Sequence, residues 1–185
     1  MNVYDFDGTL YRGDSSTDFY FYALRRKPSL LRYLPGQIAA TVLYALKKID
    51  KTEMKQRLFR FFGAIDAAAM TADFWDTHRR KLFAWYPERR KADDVVISAS
   101  PAFLLSPICK QLGVSALMAS PVEPKTGVYS GKNCSGEEKV RRYRKAFGDA
   151  VIDEFYSDSR RDLPMAKLAN KAYLVRRGKP IPWKR

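Results

Sequence analysis

The stretch Asn2-Val3-Tyr4-Asp5-Phe6-Asp7-Gly8-Thr9-Leu10 decides the reading of this chain. Its first five residues favour β structure, and the run breaks at Gly8, so it reads as a buried strand ending in a loop. Side chains two apart on a strand point the same way. The carboxylates of Asp5 and Asp7 are therefore expected to leave together at the carboxyl end of the strand, where α/β sheets place their sites. Gly8 permits a tight turn and a close approach. By itself the motif is also compatible with an ordinary acidic turn.

Downstream of the strand, residues 14–86 carry helical patterning almost throughout. Asp14, Ser15 and Ser16 are N-cap candidates for a helix to about Arg26. A second helical region runs from Ser29 to Lys48 with a bend at Pro35-Gly36. A third spans Lys51 to Phe62 and stops at Gly63, and a fourth covers Asp66 to Trp85, closed by Pro87. From residue 92 the pattern changes. Val95-Val96-Ile97 reads as a strand, and Ser100-Pro101 as an N-cap with proline in the first helical position, opening a helix to Leu112. Residues 114–119 form a strand, 121–132 a turn-rich flap, and Gly136 to Phe147 a basic helix. A strand at 151–156, a helix at 163–170 and a last strand at 172–175 follow. Strands alternating with helices predict an α/β fold with a doubly wound parallel sheet. On this division, residues 1–12 and 91–185 form the core domain and 13–90 a helical insertion after strand one.

Three further sites carry chemistry. Ser98 ends the Val95–Ile97 run ahead of a helix, where hydroxyl and backbone N–H groups can cradle an anion, although caps alone would explain the serines there. Lys139 sits near a helix start, where it opposes the dipole; either a functional role or a solvated basic face accounts for it. Tyr156-Ser157-Asp158-Ser159-Arg160-Arg161-Asp162 puts carboxylates at another strand end. There Asp158 could join Asp5 around a hard cation, and Asp162 could serve the site or cap the next helix.

Taken in order, these pieces resemble the motif set of the haloacid dehalogenase superfamily of phosphohydrolases. Asp5-x-Asp7-Gly8-Thr9 matches the first motif, Ser98 the second, Lys139 the third, and Asp158 with Asp162 the fourth. The resemblance implies a Rossmann-like core with a helical-bundle cap. It implies that Asp5 is the nucleophile of an aspartyl-phosphate, and that Asp7 is the acid and then the base. Mg2+ would lie among Asp5, the Asp7 carbonyl and Asp158. Ser98 and the Ala99 N–H would hold a phosphoryl oxygen, with Lys139 neutralising charge and Asp162 orienting it. Family members that cleave carbon–halogen bonds lack the second aspartate, so Asp7 favours phosphoryl transfer.

The position of the insertion resembles subfamily IB, which includes phosphoserine phosphatases. There a glutamate nine positions after the nucleophile binds the substrate amine; here that position is Asp14, a specificity candidate that is equally a helix cap. A nearer likeness is to the phosphatidylglycerophosphatase C branch, through Asp14, the Tyr-Ser-Asp-Ser of 156–159 and Pro164. The implied substrate is a small-molecule or lipid-headgroup phosphate. A phosphotransferase or mutase with the same intermediate, or a basic scaffold binding nucleic acid without catalysis, are the alternatives. The intact motif set and the lack of a groove-reading motif count against nucleic acid, and no obligate protein partner is implied.

Bulk properties fit this reading. The 185 residues are 46% hydrophobic and 29% charged, enough for a globular core. The net charge of +14 favours anionic partners, and residues 11–91 hold 17 Lys+Arg against 8 Asp+Glu. Cys109 and Cys134 read as reduced thiols, and the start of the chain lacks a basic leader, so a cytoplasmic location is expected. The uncharged run Tyr33 to Leu46 has 14 residues, too few for a bilayer span of roughly 20. With Arg25-Arg26-Lys27, Arg32, Lys47-Lys48 and Lys51 around it, this region is expected either to touch an anionic membrane peripherally or to fill the bundle with its lysines in water. The aromatic residues Tyr20, Phe21, Tyr22, Phe59, Phe61 and Phe62 pose a similar choice between core and substrate pocket. His78, in a polar stretch, is expected at the surface.

Overall fold

The computed structural model describes residues 1–184. Six strands form one sheet: β1 (Asn2–Tyr4), β2 (Val95–Pro101), β3 (Ala116–Ser120), β4 (Ile152–Ser157), β5 (Ala169–Arg176) and β6 (Lys179–Pro182). Their spatial order is β3-β2-β1-β4-β5-β6, all parallel except the β5–β6 pair. The chain winds outward from β1 through β2 to β3, then returns to lay β4 on the other side of β1. That reversal leaves a crevice at the carboxyl ends of β1 and β4.

The central strand alternates between two cores. Val3 packs with Val95, Ile97, Ile152, Phe155 and Met165 on one face. Tyr4 turns to the other, where it stacks on Tyr156 at 4.9 Å, and Tyr156 stacks on Tyr173 at 4.8 Å. The three tyrosines lie opposite one another in register, so the ladder pins β1, β4 and β5. One registry step would turn the set to the wrong face.

Between β1 and β2 lie five helices: α1 (Ser15–Arg26), α2 (Leu34–Ala45), α3 (Lys51–Leu58), α4 (Ala67–His78) and α5 (Trp85–Arg89). Asp14, Asp50 and Asp66 cap α1, α3 and α4, each accepting from a backbone N–H three residues on. In the second half, α6 (Ala102–Gln111), α7 (Glu137–Phe147) and α8 (Leu163–Ala166) flank the sheet.

Several local expectations change. Strand one stops at Tyr4. The second helical region is a 3-10 turn over Pro28–Tyr33 followed by α2, whose first turn takes Pro35 instead of being bent by it. Helix α3 ends at Leu58 and continues as a 3-10 turn over Phe59–Ala64, which drives Phe59, Phe61 and Phe62 into the core. The fourth helix ends at His78 because the chain must return to the β1 loop. Leu82 bridges to Tyr11, Arg12 N donates to Lys81 O, and Phe83 N donates to Leu10 O. Pro87 lies inside α5, within the first turn, where a missing N–H costs nothing. Helix α8 is only four residues long, because β5 begins at Ala169. The antiparallel β6 has no counterpart in the sequence reading. It closes a two-residue hairpin at Arg177 (φ 49°) and Gly178 (φ 74°), and a side chain at Gly178 would strike Phe83.

His78 is half-buried, stacked on Phe74 at 4.2 Å, and not a free surface residue. Both cysteines are buried and unpaired. No helix among the described residues is long and apolar enough to cross a membrane.

Candidate active site

Because β1 ends at Tyr4, Asp5 and Asp7 leave a loop, not a strand edge. Asp5 extends the ladder by one bond, its N–H donating to Tyr156 O at 2.8 Å. The chain then coils on itself: Phe6 O accepts from the N–H groups of Thr9, Leu10 and Tyr11. Asp5 and Asp7 feel each other's charge but have separate partners. The Asp5 carboxylate faces the Lys139 ammonium at 2.9 Å. Asp7 accepts from the Ser15 N–H at 2.7 Å and from the Ser100 hydroxyl at 2.5 Å.

Lys139 is 2% exposed on the first turn of α7. Burial works against its charge, but Asp5 and Asp162 outweigh burial and raise it above the ordinary lysine value. Asp162, itself buried, accepts from Lys139 at 2.7 Å and from the Ser157 hydroxyl at 2.8 Å. The lysine is thus held between two carboxylates, one of them fixed from behind by a serine. The alternative of a solvated lysine does not survive this geometry.

Asp158 follows β4. Its N–H donates to the buried Thr9 hydroxyl at 2.9 Å, and its carboxylate lies on the backbone of Gly8. Gly8 has φ 70°, and any Cβ there would collide with that carboxylate. The first motif and the strand-end aspartate are therefore in direct contact, as the crevice between β1 and β4 requires.

Ser98 and Ala99 lie where β2 shifts register against β3, between Ile97 and Pro101. Such a bulge turns groups out of the ladder. Ser98 is buried, and its hydroxyl accepts from the Ser100 N–H at 3.2 Å. The Ala99 carbonyl accepts from Ser120 Oγ at 3.0 Å and from Lys55 Nζ at 2.9 Å. Ser100 does not cap α6; Pro101 holds the N-cap position, and the Ser100 hydroxyl serves Asp7 instead.

Burial pushes the carboxyls of Asp5, Asp7 and Asp158 upward; Asp162 adds to Asp5 and Asp158, and Asp14 adds to Asp7. An oxygen-only donor set whose acids are all pushed up suits a hard divalent cation, which would relieve that push. No cluster of three or more His, Cys, Asp or Glu side chains able to cage a metal occurs among the described residues. Mg2+ asks for no such cage: it takes one or two carboxylates with waters and substrate oxygens, and Asp5 and Asp158 are carboxylates of that kind.

Asp14 is exposed, caps α1 by accepting from the Thr17 N–H at 2.8 Å, and also borders a cavity of about 260 Å³. Ser16, Tyr20, Lys55, Phe59 and Phe61 line the same cavity. The Ser16 hydroxyl is 3.0 Å from the Ser100 hydroxyl that donates to Asp7, so the cavity lies on the Asp7 side of the site. The aromatic choice resolves both ways: Phe59 and Phe61 are core residues that also wall this cavity, Tyr20 and the largely exposed Phe21 line it too, Phe62 is core alone, and Tyr22 packs half-buried on Phe74.

Two residues escaped the sequence reading. Lys51 and Lys55 are four apart on α3, hence on one face. Burial lowers both ammonium groups, while Asp5, with Asp162 for Lys51 and Asp14 and Asp7 for Lys55, pulls the other way. Lys51, counted in the sequence among surface cations, turns toward the acids instead. The available signal was the i, i+4 spacing behind the Asp50 cap, but nothing in the sequence said which side of α3 faces the core.

The sequence profile of a family described as haloacid dehalogenase-like hydrolase matches residues 3–167. Protein CicA of Caulobacter vibrioides is 30% identical over 200 aligned positions, covering 96% of this chain and 87% of that protein. Among solved structures, a protein of unknown function from Bordetella pertussis superposes with a TM-score of 0.72 at 21% identity, over 94% of this chain and 88% of the other. A phosphoserine phosphohydrolase-like protein from Francisella tularensis gives 0.61 at 18% identity, over 94% and 87%.

Proposed function

The chain belongs to the haloacid dehalogenase-like hydrolase family, and from that premise we propose that it hydrolyses phosphate monoesters through a covalent aspartyl-phosphate on Asp5. The observation that carries this reading is the division of labour between two neighbouring acids. Asp5 is paired with a buried lysine, and Asp7 is held by neutral donors beside a cavity.

An ionised Asp5 oxygen attacks phosphorus, and the bond from phosphorus to the alcohol oxygen breaks. Asp7, which faces neutral donors and no cation, gives a proton to the departing oxygen, while the Lys139 ammonium keeps Asp5 ionised for attack. In the second half-reaction Asp7 takes a proton from water, the water oxygen attacks phosphorus, and the bond to Asp5 breaks, releasing inorganic phosphate. Lys139, fixed by Asp162, neutralises charge on the phosphoryl oxygens, and the Ser98 hydroxyl and Ala99 N–H hold one of them. Asp5, Asp158 and the Asp7 carbonyl would hold Mg2+, whose charge offsets the repulsion between carboxylate and phosphate.

In this reading, residues 13–90 act as a cap and the cavity beside Asp7 receives the alcohol. Its mix of aromatic walls with Asp14, Ser16 and Lys55 suits a small or headgroup-sized alcohol that carries charge. The test is turnover of phosphoamino acids, sugar phosphates, nucleotides and phospholipid-headgroup phosphates, with Mg2+ and with chelator. Asp5→Asn is the control. Mg2+-dependent phosphate release lost in that variant supports the reading; release that persists in it contradicts the reading.

A further inference from the structure

Helix α2 is built the wrong way round for a soluble helix. It buries Gln37 and Ala40 and turns its aliphatic residues outward. Gln37 Nε2 donates to Leu58 O at 2.9 Å, so the polar side chain is the one docked against α3. Leu34, Ile38, Val42 and Leu46, each four residues on, are 40%, 56%, 51% and 62% exposed and form one continuous ridge. Scattered surface leucines need no account, but an aliphatic stripe along a whole helix does.

Beside the ridge, reached across Gly36 and Ala39 of the same helix, is a groove of about 770 Å³. Its charged lining is Arg32, Arg57, Arg60 and Lys125, with no acidic residue. Arg57 pairs with Glu53; the other three make no ion pair among the described residues. Lys47 and Lys48 stand exposed at the far end of the helix.

We propose that this face docks on the surface of an anionic phospholipid bilayer, with the ridge in the acyl boundary and phosphate headgroups in the basic groove. Helix α2 has 12 residues, about 18 Å, so it lies along the interface and does not cross it. Charge complementarity selects this occupant. A second copy docked by two-fold symmetry would bring like-charged grooves toward each other. A nucleic acid would match the groove but leave the aliphatic ridge in water. The surface is separate from the reacting groups, so the inference does not depend on the hydrolytic reading.

The experiment is flotation of the full chain with vesicles of phosphatidylglycerol in phosphatidylcholine, against phosphatidylcholine alone, at low and moderate salt. These lipids carry no phosphate monoester, so docking is scored whatever the enzyme hydrolyses. The wild type is expected to float with the anionic vesicles only. Ile38→Ser with Val42→Ser, both exposed and so neutral for folding, weakens binding by roughly tenfold or more. Arg57→Gln with Arg60→Gln weakens it too and flattens its salt dependence. Absence of flotation at low salt, or flotation indifferent to the ridge pair, overturns the proposal. So does a dimer in light scattering that Ile38→Ser dissolves, or tight DNA binding in place of vesicle binding.

Discussion

The Lys55 ammonium donates to the carbonyl oxygen of Ala99 at 2.9 Å, tying helix α3 to the bulged segment of β2 that follows Ser98. The tie has company: Thr52 Oγ1 accepts from the Asn133 N–H, and Gln56 Oε1 from the Tyr129 N–H. One helix of the inserted segment is thus seated on the core through side chains three and four residues apart.

Lys55→Ala removes a charge-assisted bond of about 1.5–3 kcal/mol and a cation from the cavity. A fall in kcat/KM of about 10- to 100-fold follows, borne more by KM than by kcat, with a melting temperature lower by roughly 3–10 °C. Steady-state kinetics on the best ester from the substrate panel, beside a thermal melt, measure it. Equal kinetics in the variant would remove Lys55 from the site.

Asp7→Asn leaves the nucleophile in place but removes the proton donor. Turnover is expected to drop by about 10²- to 10⁴-fold for an alkyl phosphate. The formation step with para-nitrophenyl phosphate, whose leaving group needs little protonation, drops much less. Rapid-quench kinetics on the two esters separate the cases, and an equal loss on both would argue against the acid role.

Gly8→Ala forces a side chain into the Asp158 carboxylate at a left-handed backbone position. A loss of about 1–3 kcal/mol in stability is expected, together with weaker Mg2+ binding, because the displaced carboxylate is one of the proposed ligands. Denaturant titration and isothermal calorimetry with Mg2+ alone read the two effects.

Glu138 accepts from Arg141 and Arg142, and these arginines hold its carboxyl down to about 2, against an ordinary 4.5. Since the folded value lies below the unfolded one, the stabilisation is present above about pH 4.5 and lost as pH falls toward about 2. Arg142 also donates to Ala119 O and Lys132 O, so the cluster ties α7 to β3 and to the segment after it. Glu138→Gln should cost about 1 kcal/mol at neutral pH, with the gap from wild type closing on acidification. Melting curves across that range decide it.

Much of the fold was legible because Asn2 to Phe6, Val95 to Ile97 and Val151 to Tyr156 carry short β-favouring runs that stop at small or acidic residues. The parallel, doubly wound sheet followed from the alternation of strands and helices. The site acids were legible for the same reason: they stand at strand ends. What the sequence hid was set by tertiary contact. Ser100 looks like a cap until the β2 bulge turns its hydroxyl to Asp7. Lys51 and Lys55 look like surface lysines until the docking of α3 turns them inward. His78 reads as polar surface, yet Phe74 four residues earlier offers it a ring to stack on. Strand β6 needed the Arg177-Gly178 turn, which is weaker than an Asn-Gly signal.

The central claim is that Asp5 takes the phosphoryl group. The direct measurement is acid quench of the Mg2+-loaded protein during reaction with para-nitrophenyl phosphate, followed by peptide mass mapping. Asp7→Asn is included to slow breakdown of the intermediate. The account predicts a hydroxylamine-labile phosphate on the peptide holding Asp5, absent from Asp5→Asn. A phosphate mapped to any other residue, or steady hydrolysis by Asp5→Asn, would contradict it.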